Sequence, residues 1–298
     1  MNGNIFYIID IGTNSARLMK ARFSGEKVLP FYKLVETVRT GEGMENGRLS
    51  PLAIKRVTDA LVKFKNITDK EDAAAKVHVF ATSAVRDAVN KDELILLVKE
   101  STGLDIEVIS GEEEALLSFT GAAGESGGII DLGGGSIEAA RGEGGTITYR
   151  RSFDIGIVRA KNMFSHLSEN QAAKASYEYA KKLFTELPEE IKGKKYCAVG
   201  GTATSLAAML LGMEKYDPEK IQGFKVTKDD AIKKLSYLLT LSLEEKKAVK
   251  GLPEKRADVI TNGIAILIAM MDALDIDEYY ASDSDNLEGY AIINRHKL

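Results

Sequence analysis

Short apolar runs alternate with helix-like patterns along the chain, and this alternation predicts an α/β fold. Two groups of three runs each predict an antiparallel meander. They occupy residues 5–11, 15–23 and 27–37, and then residues 128–132, 136–141 and 146–153. Helix patterns follow each group, the first beginning at Ser50 with Pro51 at the first helical position. The order of elements therefore predicts the same design twice.

The first hairpins of the two meanders also share a sequence pattern. IFYIIDIGTNSARL begins at Ile5, and GGIIDLGGGSIE begins at Gly127. In each segment an apolar run ends at an aspartate, Asp10 or Asp131, and a glycine-containing polar turn follows. Such an internal repeat predicts two related domains, each with the turn of its first hairpin facing a common cleft.

The composition is that of a soluble globular protein, with 44% hydrophobic and 28% charged residues in a chain of 298. The net charge of −4 argues against a broad nucleic-acid-binding surface. The apolar segment 259–274 is interrupted by Asn262 and Asp272, so it predicts a buried helix rather than a membrane span. The single cysteine, Cys197, and the lack of a secretory signal before the first strand lead us to expect a cytoplasmic protein.

Both turns have the composition of a phosphate-binding loop. Glycines let backbone N–H groups approach a phosphate closely, and short polar side chains add further donors. A single such turn more often only closes a hairpin, but two matched turns favour phosphate binding. The candidate residues are Gly12, Thr13, Asn14 and Ser15 in the first turn, and Gly133, Gly134, Gly135 and Ser136 in the second.

Carboxylates next to these turns indicate a cation site. Asp10 and Asp131 end apolar strands, where a lone carboxylate is costly unless it is paired or bound to a cation. Glu138 lies on the return strand after Asp131, where it either approaches the same ion or is an ordinary exposed strand residue. All-oxygen ligands suit Mg²⁺, which we therefore expect at Asp10, Asp131 and Glu138. The three histidines are scattered, which argues against a zinc site.

Three further segments carry candidate chemistry. Arg86 follows a strand end in ATSAVRDA and suits phosphate oxygens, although it could equally be a surface arginine. Residues 112–114 are three consecutive glutamates in the first turn of a helix, and the local sequence does not select which of them faces a cleft. Gly200, Gly201 and Thr202 join a strand to a helix, a junction that suits either a phosphate or a tight turn without a ligand.

The motifs DIGTNSARL, ATSAVRDA, SGEEEALL, IIDLGGGSIE and VGGTATSLAA, in this order, resemble the exopolyphosphatase/guanosine pentaphosphate phosphohydrolase (Ppx/GppA) family. The resemblance covers nearly the whole chain and implies two ribonuclease-H-like domains of the actin-like ATPase superfamily. Each domain would be a mixed five-stranded sheet flanked by helices, on either side of a central cleft. We expect residues 1–121 with 283–298 in one domain and residues 122–282 in the other, with a small, glycine-rich linker at 122–128.

The resemblance also implies an activity: Mg²⁺-dependent release of orthophosphate from the end of inorganic polyphosphate. By the same resemblance Glu114 is the general base, Arg86 contacts phosphate, and the two turns are the substrate loops. Guanosine pentaphosphate (pppGpp) is the alternative substrate, and a non-catalytic nucleotide- or polyphosphate-binding sensor is the alternative class. No nucleic-acid polymer or membrane is expected as a partner, and exposed apolar helices near the C-terminus are compatible with a homodimer.

The sequence departs from the family pattern at two positions. The family usually has an arginine two residues after the base glutamate, where this chain has Leu116. The late element that usually contains an arginine reads DNLEG, from Asp285 to Gly289. Two fewer cations favour shorter substrates or less processive cleavage.

Overall fold

The structure, a computed structural model, describes residues 5–124 and 126–298. Its first sheet has five strands in the order β3-β2-β1-β4-β5. These strands are β1 (Ile5–Ile11), β2 (Ser15–Ser24), β3 (Lys27–Thr37), β4 (Lys76–Ala81) and β5 (Ile106–Val108). The helices between them are α1 (Pro51–Asp72), α2 (Ser83–Arg86), α3 (Lys91–Thr102) and α4 (Gly111–Ser118). The side chain of Ser50 caps α1 by accepting a hydrogen bond from the Ala53 amide at 3.2 Å, as its sequence predicts.

The second sheet has six strands in the order β10-β11-β9-β6-β7-β8. They are β6 (Gly127–Leu132), β7 (Ile137–Glu143), β8 (Thr146–Phe153), β9 (Tyr196–Val199), β10 (Lys225–Thr227) and β11 (Glu278–Ala281). The helices that follow β8 are α5 (Ile157–Met163), α6 (Glu169–Leu183), α7 (Gly201–Leu210), α8 (Pro218–Ile221), α9 (Lys228–Leu238), α10 (Leu243–Lys247), α11 (Ile260–Ala273) and α12 (Asn286–Ile293).

The predicted count of five strands is wrong for this second sheet. The additional strand, β10, has three residues and pairs antiparallel with β11 at the sheet edge. Three residues are too few to show a strand period, so the sequence pattern cannot reveal it.

The two sheets share one topology, which accounts for the sequence repeat. In each, an antiparallel meander is extended by parallel strands next to its first strand: β4 beside β1, and β9 beside β6. The carboxyl ends of β1 and β6 are therefore equivalent positions, and each carries the aspartate singled out above. Sites in open α/β sheets lie at such strand ends.

We call the first sheet with α1–α4 and α12 the first lobe, and the second sheet with α5–α11 the second lobe. Helix α12 belongs with the first because Leu287 and Tyr290 pack in one cluster with Phe6, Ile8 and Phe80. Helix α11 lies in the core of the second lobe with twelve buried residues, as the interrupted apolar segment predicts. In the described part of the chain, no helix has the length and apolar character needed to cross a membrane.

The lobes are joined by two chain crossings that pack on each other. After α4 the chain continues as a π-helix over Phe119–Ala123 before β6 begins at Gly127, so the linker predicted at 122–128 is wrong at both of its ends. Within that linker, Glu125 lies outside the described residues, as do residues 1–4 of the predicted first domain. The second crossing leads from β11 into α12, and a Cβ atom on Gly121 would overlap the Asp285 carbonyl. The domain boundaries themselves stay predictions.

Candidate active site

The two glycine turns have the same hydrogen-bonded geometry. The amide of Gly12 donates to the carbonyl of Ser15 at 3.0 Å, and the amide of Gly133 donates to the carbonyl of Ser136 at 3.0 Å. We call residues 12–15 the first loop and residues 133–136 the second loop. The repeat seen in the sequence is therefore a repeat of turn structure as well.

In each loop, one carbonyl accepts two backbone hydrogen bonds from the segment that follows the meander. In the first lobe, the amides of Val38 and Arg39 donate to the Asn14 carbonyl at 3.1 and 2.9 Å. In the second lobe, the amides of Val158 and Arg159 donate to the Gly134 carbonyl at 2.8 and 3.1 Å.

Four loop amides have no backbone acceptor in the described part of the chain. Within residues 5–124 and 126–298, no backbone carbonyl accepts a hydrogen bond from the amides of Thr13, Asn14, Gly134 or Gly135. Backbone donors of this kind suit an anion with several oxygens.

The loops contact each other directly, which explains why glycine occupies the second loop. A Cβ atom on Gly134 would lie 2.8 Å from the Cβ of Thr13 and 2.9 Å from the amide nitrogen of Asn14. The hydroxyl of Thr13 also accepts a hydrogen bond from the amide of Ala84 at 3.1 Å. The two lobes therefore meet at their phosphate-loop candidates.

One cavity lies between the loops and gathers most of the predicted site. Its lining comprises Asp10, Gly12, Thr13, Asn14, Ser15, Arg17, Thr82, Ser83, Glu114, Asp131, Leu132, Gly133, Gly134, Gly135, Ser136, Ile157, Gly200, Gly201, Arg256, Asp285 and Asn286. Both aspartates and both loops are thus brought together, as the repeat predicts, and the Gly200–Gly201 junction lies beside them. Thr202, Arg86 and Glu138 do not line this cavity.

Those three residues lie behind or beside the cavity. Thr202 is fully buried, and a Cβ atom on Gly263 would lie 2.6 Å from its hydroxyl, so it packs between helices. Glu138 is also fully buried and pairs directly across the hairpin with Asp131, so its interpretation as an exposed strand residue is wrong. The guanidinium of Arg86 contacts Glu114 at 3.1 Å and lines a separate outer cavity. That outer cavity is lined by Arg86, Ser110, Gly111, Glu112, Arg151, Ser152 and Asp154.

Helix α4 resolves the choice among its three glutamates. Glu113 forms a capping box with Ser110, and Glu112 is exposed and lies 3.4 Å from Arg150. Glu114 is turned inward, is only 5% exposed and lines the cavity. The next turn of the helix presents Ser118 on the same face, and its hydroxyl donates to Asp131 Oδ2. Ser118 is a site residue that sequence reasoning missed.

Burial and mutual repulsion raise the pKa values of the site carboxylates. Burial raises the pKa of Glu114 to about 8, with Asp131 adding to the rise and Arg86 opposing it. Burial likewise raises the pKa of Asp131 to about 6, although Ser118 hydrogen-bonds its charged form. The pKa of Glu138 lies well above its ordinary value because of burial and the charges of Glu114 and Asp131. Burial also raises the pKa of Asp10, against the opposing charge of Arg17.

Arg17 is a second site residue that sequence reasoning missed. It faces Asp10 across the first hairpin in the register at which Glu138 faces Asp131 in the second. Its guanidinium donates to Asp10 Oδ2 at 3.0 Å from Nε, to Asn286 Oδ1 at 2.6 Å, and to Asp285. The repeat itself held the signal, because Arg17 follows Asp10 by the same interval as Glu138 follows Asp131.

Arg256 is a third missed residue and has no local sequence signal. A Cβ atom on Gly201 would overlap its guanidinium, so this glycine makes room for the arginine. Burial and the charge of Arg17 lower the pKa of Arg256 to about 10. Across the described ranges, no carboxylate forms an ion pair with it. Arg256 is therefore a cation available to an anionic ligand in the cavity.

The chemistry of the lining fits a divalent cation that completes its coordination with ligand oxygens. The cavity presents four carboxylates against the two guanidiniums of Arg17 and Arg256, so an anion alone would meet excess negative charge. Asp10 Oδ1 and Glu138 Oε2 are buried without a hydrogen-bond partner. Among the described residues, no group of three or more His, Cys, Asp or Glu is arranged to hold a metal ion, so the expected set of Asp10, Asp131 and Glu138 does not form a metal site by itself. Mg²⁺ commonly binds through one or two carboxylates plus phosphates and water, and this site suits that mode.

A family model described as the Ppx/GppA phosphatase family matches residues 25–292. Exopolyphosphatase 2 of Mycobacterium tuberculosis is 31% identical over 310 residues, which cover 95% of this chain and 96% of that protein. A bifunctional 3-dehydroquinate synthase/phosphatase of Fusobacterium nucleatum is 35% identical over 303 residues, covering 94% of this chain but only 45% of that protein. A guanosine-5'-triphosphate,3'-diphosphate pyrophosphatase of Vibrio vulnificus is 31% identical over 306 residues, covering 97% of this chain and 59% of that protein.

The fold is shared with solved structures over nearly the full chain. The Aquifex aeolicus member of the Ppx/GppA family superposes with a TM-score of 0.80 at 27% identity, covering 99% of this chain and 98% of that one. Together with the two mixed sheets described above, this likeness confirms the predicted two-domain, actin-like α/β fold. The resemblance noted in the motifs is confirmed by the same comparisons.

Proposed function

The chain belongs to the Ppx/GppA phosphatase family, and from that premise we propose that it is a Mg²⁺-dependent exopolyphosphatase. It releases orthophosphate from the end of an inorganic polyphosphate chain by hydrolysing the terminal phosphoanhydride bond. The observation that carries this proposal is the position of Glu114, buried in the cavity between two matched loops, four of whose amides have no backbone acceptor among the described residues.

In this proposal the terminal phosphates occupy the space between the first and second loops. The amides of Thr13, Asn14, Gly134 and Gly135 bind the phosphate oxygens together with the short polar side chains of both loops. Arg256 lines the same cavity without an ion-pair partner in the described ranges and balances further negative charge. Gly200 and Gly201 complete the wall next to it. The loops thus fix the terminal phosphorus in place.

Glu114 acts as the general base for the attacking water. It accepts a proton as the water oxygen bonds to the terminal phosphorus, and the bridging P–O bond breaks in line, leaving its oxygen on the shortened chain. Arg86 holds Glu114 through Oε2 at 3.1 Å, which leaves its other oxygen available to the water. In the proposal Arg86 is therefore a residue that positions the base rather than one that lines the phosphate cavity.

Mg²⁺ would be held by Asp10 and Asp131, with Glu138 directly behind Asp131 in the hairpin. When bound, the cation neutralises charge on the phosphate oxygens and on the departing oxygen. Burial, followed by repulsion from neighbouring carboxylates, raises the pKa values of Asp131 and Glu138, and a bound cation would favour their charged forms.

Guanosine pentaphosphate is the second candidate substrate. The relative from Vibrio vulnificus favours it, but this chain spans only 59% of that protein. Its match to Exopolyphosphatase 2 spans 96% of the relative, which favours polyphosphate. A purely binding sensor would leave the buried Glu114 without a role. Cytoplasmic localisation and a homodimer stay predictions.

A phosphate-release assay with long-chain polyphosphate, tripolyphosphate and pppGpp tests the proposal. We expect orthophosphate release from polyphosphate with Mg²⁺ and none with EDTA. Unchanged rates in EDTA would contradict the metal assignment. Release from pppGpp alone would replace the substrate, and binding of polyphosphate without any turnover would favour the sensor.

A further inference from the structure

Two arginines link the lobes in a repeated arrangement that the reaction scheme above does not use. Each lies in a Val-Arg pair directly behind a phosphate loop: Val38–Arg39 behind the first and Val158–Arg159 behind the second. The backbone of each arginine binds the loop of its own lobe, through Arg39 to the Asn14 carbonyl at 2.9 Å and through Arg159 to the Gly134 carbonyl at 3.1 Å.

The side chains of these arginines reach the opposite lobe. The guanidinium of Arg159 in the second lobe contacts Asp87 Oδ2 of the first lobe at 2.5 Å. The guanidinium of Arg39 in the first lobe contacts Asp258 Oδ2 of the second lobe at 3.2 Å. The two ion pairs therefore cross the cleft in opposite directions and are related by the same repeat as the loops.

Each arginine therefore connects the phosphate loop of its own lobe to the opposite lobe. Arg159 also donates through Nε to the Gly135 carbonyl at 2.7 Å and contacts the Ser83 hydroxyl at 3.3 Å. Arg39 adopts a left-handed backbone with φ of 47°, an uncommon conformation for this residue type, and bonds Glu42 at 2.9 Å. Neither arginine lines the cavity, so neither is positioned to contact substrate.

We infer that Arg39 and Arg159 are positioning residues that hold the two lobes closed and bring the two phosphate loops into contact. Separating the lobes requires both ion pairs to break, and the contact of Gly134 with Thr13 and Asn14 opens with them. The arginine side chains are 31% and 32% exposed, so each pair biases the closed state only modestly. The two together set how readily the site assembles around a phosphate chain.

The kinetic part of this inference rests on the proposed function, whereas its structural part does not. We therefore test it first by the distance between the lobes. Spin labels are placed at K70C in the first lobe and E178C in the second, both exposed positions, in a C197A background. Double electron–electron resonance is recorded for the parent, R159Q, D258N and the R159Q/D258N pair, each with and without tripolyphosphate and Mg²⁺.

We expect one short distance in the parent and a longer, broader distribution in R159Q and D258N, with the double variant most open. R48Q is the matched control, because Arg48 pairs with Glu93 inside the first lobe, and its distances should equal those of the parent. A double variant with the distances of the parent would overturn the inference, provided that it melts cooperatively. The variant D87N removes the ion pair but keeps the bond from Arg159 to the Gly135 carbonyl, so it should also lengthen the distance, by less than R159Q does.

Steady-state kinetics then separate positioning from a purely structural role. Loss of one ion pair should raise KM by about twofold to fivefold with kcat less affected, and added substrate should restore the short distance. R159K should recover most of the KM, since it keeps the charge opposite Asp87. If no variant, including the parent, hydrolyses polyphosphate, the proposed function fails while the distance experiment still decides this inference. Equal losses of kcat in R159Q and R159K with parent-like distances would contradict it.

Discussion

At the scale of single residues, the two halves of the site differ at one equivalent position. The position that faces the strand-terminal aspartate is Arg17 in the first hairpin and Glu138 in the second. The first hairpin therefore holds a neutralised pair, and the second holds two carboxylates next to Glu114. This asymmetry gives one loop a fixed charge balance and leaves the other dependent on an added cation.

Replacing the base should separate binding from turnover. We predict that E114Q lowers kcat for phosphate release by about 100-fold or more, because proton transfer by a positioned side chain contributes 10² to 10⁴. Affinity for tripolyphosphate should stay within about threefold, because the loops bind the phosphates. Isothermal titration and single-turnover assays measure the two quantities. E112Q is the control, since Glu112 is exposed on the same helix turn, and a similar loss there would contradict the assignment.

The raised pKa values predict a stability that falls as pH increases. Glu114 and Asp131 titrate near 8 and 6 in the folded chain but near 4 when unfolded, so the folded state binds more protons in this range. The contribution of these two groups to the free energy of unfolding should therefore be greatest below about pH 4 and should decrease as pH rises to about 8. Urea titrations at several pH values without Mg²⁺ measure this dependence.

A neutral side chain at Glu138 should remove part of that destabilisation. We predict that E138Q raises Tm at pH 8 and changes it little at pH 5, because glutamine keeps the hydrogen bond from Ser152 without the buried charge. Phosphate release should fall in the same variant. E143Q, exposed on the same strand, serves as control. A lower Tm for E138Q at pH 8 would show that its carboxylate is stabilising.

At the scale of elements, the site forms where two strands end, and the segments that follow the two meanders hydrogen-bond to its loops. The sequence predicts the hairpins because apolar runs and glycine turns are local signals, and the paired aspartates follow from the repeat. Arg256 and Ser118 could not be predicted, because the place of Arg256 in the cavity and the bond from Ser118 to Asp131 depend on the segment before α11 and on α4 docking against distant loops. The strand β10 could not be predicted because it has only three residues. The π-helix over Phe119–Ala123 could not be predicted because its last residues lead into a small, glycine-rich segment that is typical of a linker.

The contact between the first and second loops leads to a prediction at the scale of elements. G134A should raise KM for polyphosphate about tenfold or more, because the added Cβ would lie 2.8 Å from the Cβ of Thr13 and force the loops apart. G133A is the matched comparison, since its Cβ would meet only the Ser136 carbonyl at 3.2 Å. The KM of G133A should change less. Equal kinetics for the two variants would show that loop contact is not required.

At the scale of the whole molecule, the two lobes form one site only together. The first lobe supplies Asp10, Arg17 and Glu114, and the second supplies Asp131 and the glycine-rich loop. The two chain crossings also contact the site. Ser118, just before one crossing, donates to Asp131, and Asp285, at the start of the other, accepts from Arg17. Although burial acts to raise it, Arg17 and Lys33 hold the pKa of Asp285 below its usual range, which keeps this link charged.

Cation binding should stabilise the molecule as a whole. We predict that millimolar Mg²⁺ raises Tm more at pH 8 than at pH 5.5, because protonated carboxylates bind the cation poorly and the native site is largely protonated at the lower pH. Differential scanning calorimetry with Mg²⁺ and with EDTA measures the effect. A D131N variant should lose most of it, whereas D105N, at an exposed aspartate that does not line the cavity, should retain it.

A crystal structure of E114Q with tripolyphosphate and Mg²⁺ would show where the phosphate chain binds relative to the two loops. We expect the terminal phosphorus between the first and second loops, with its oxygens on the amides of Asn14 and Gly134, the cation beside Asp131 and residue 114 facing the phosphorus. Tripolyphosphate bound instead in the outer cavity beside Arg86 and Arg151, with the space between the loops empty, would contradict this expectation.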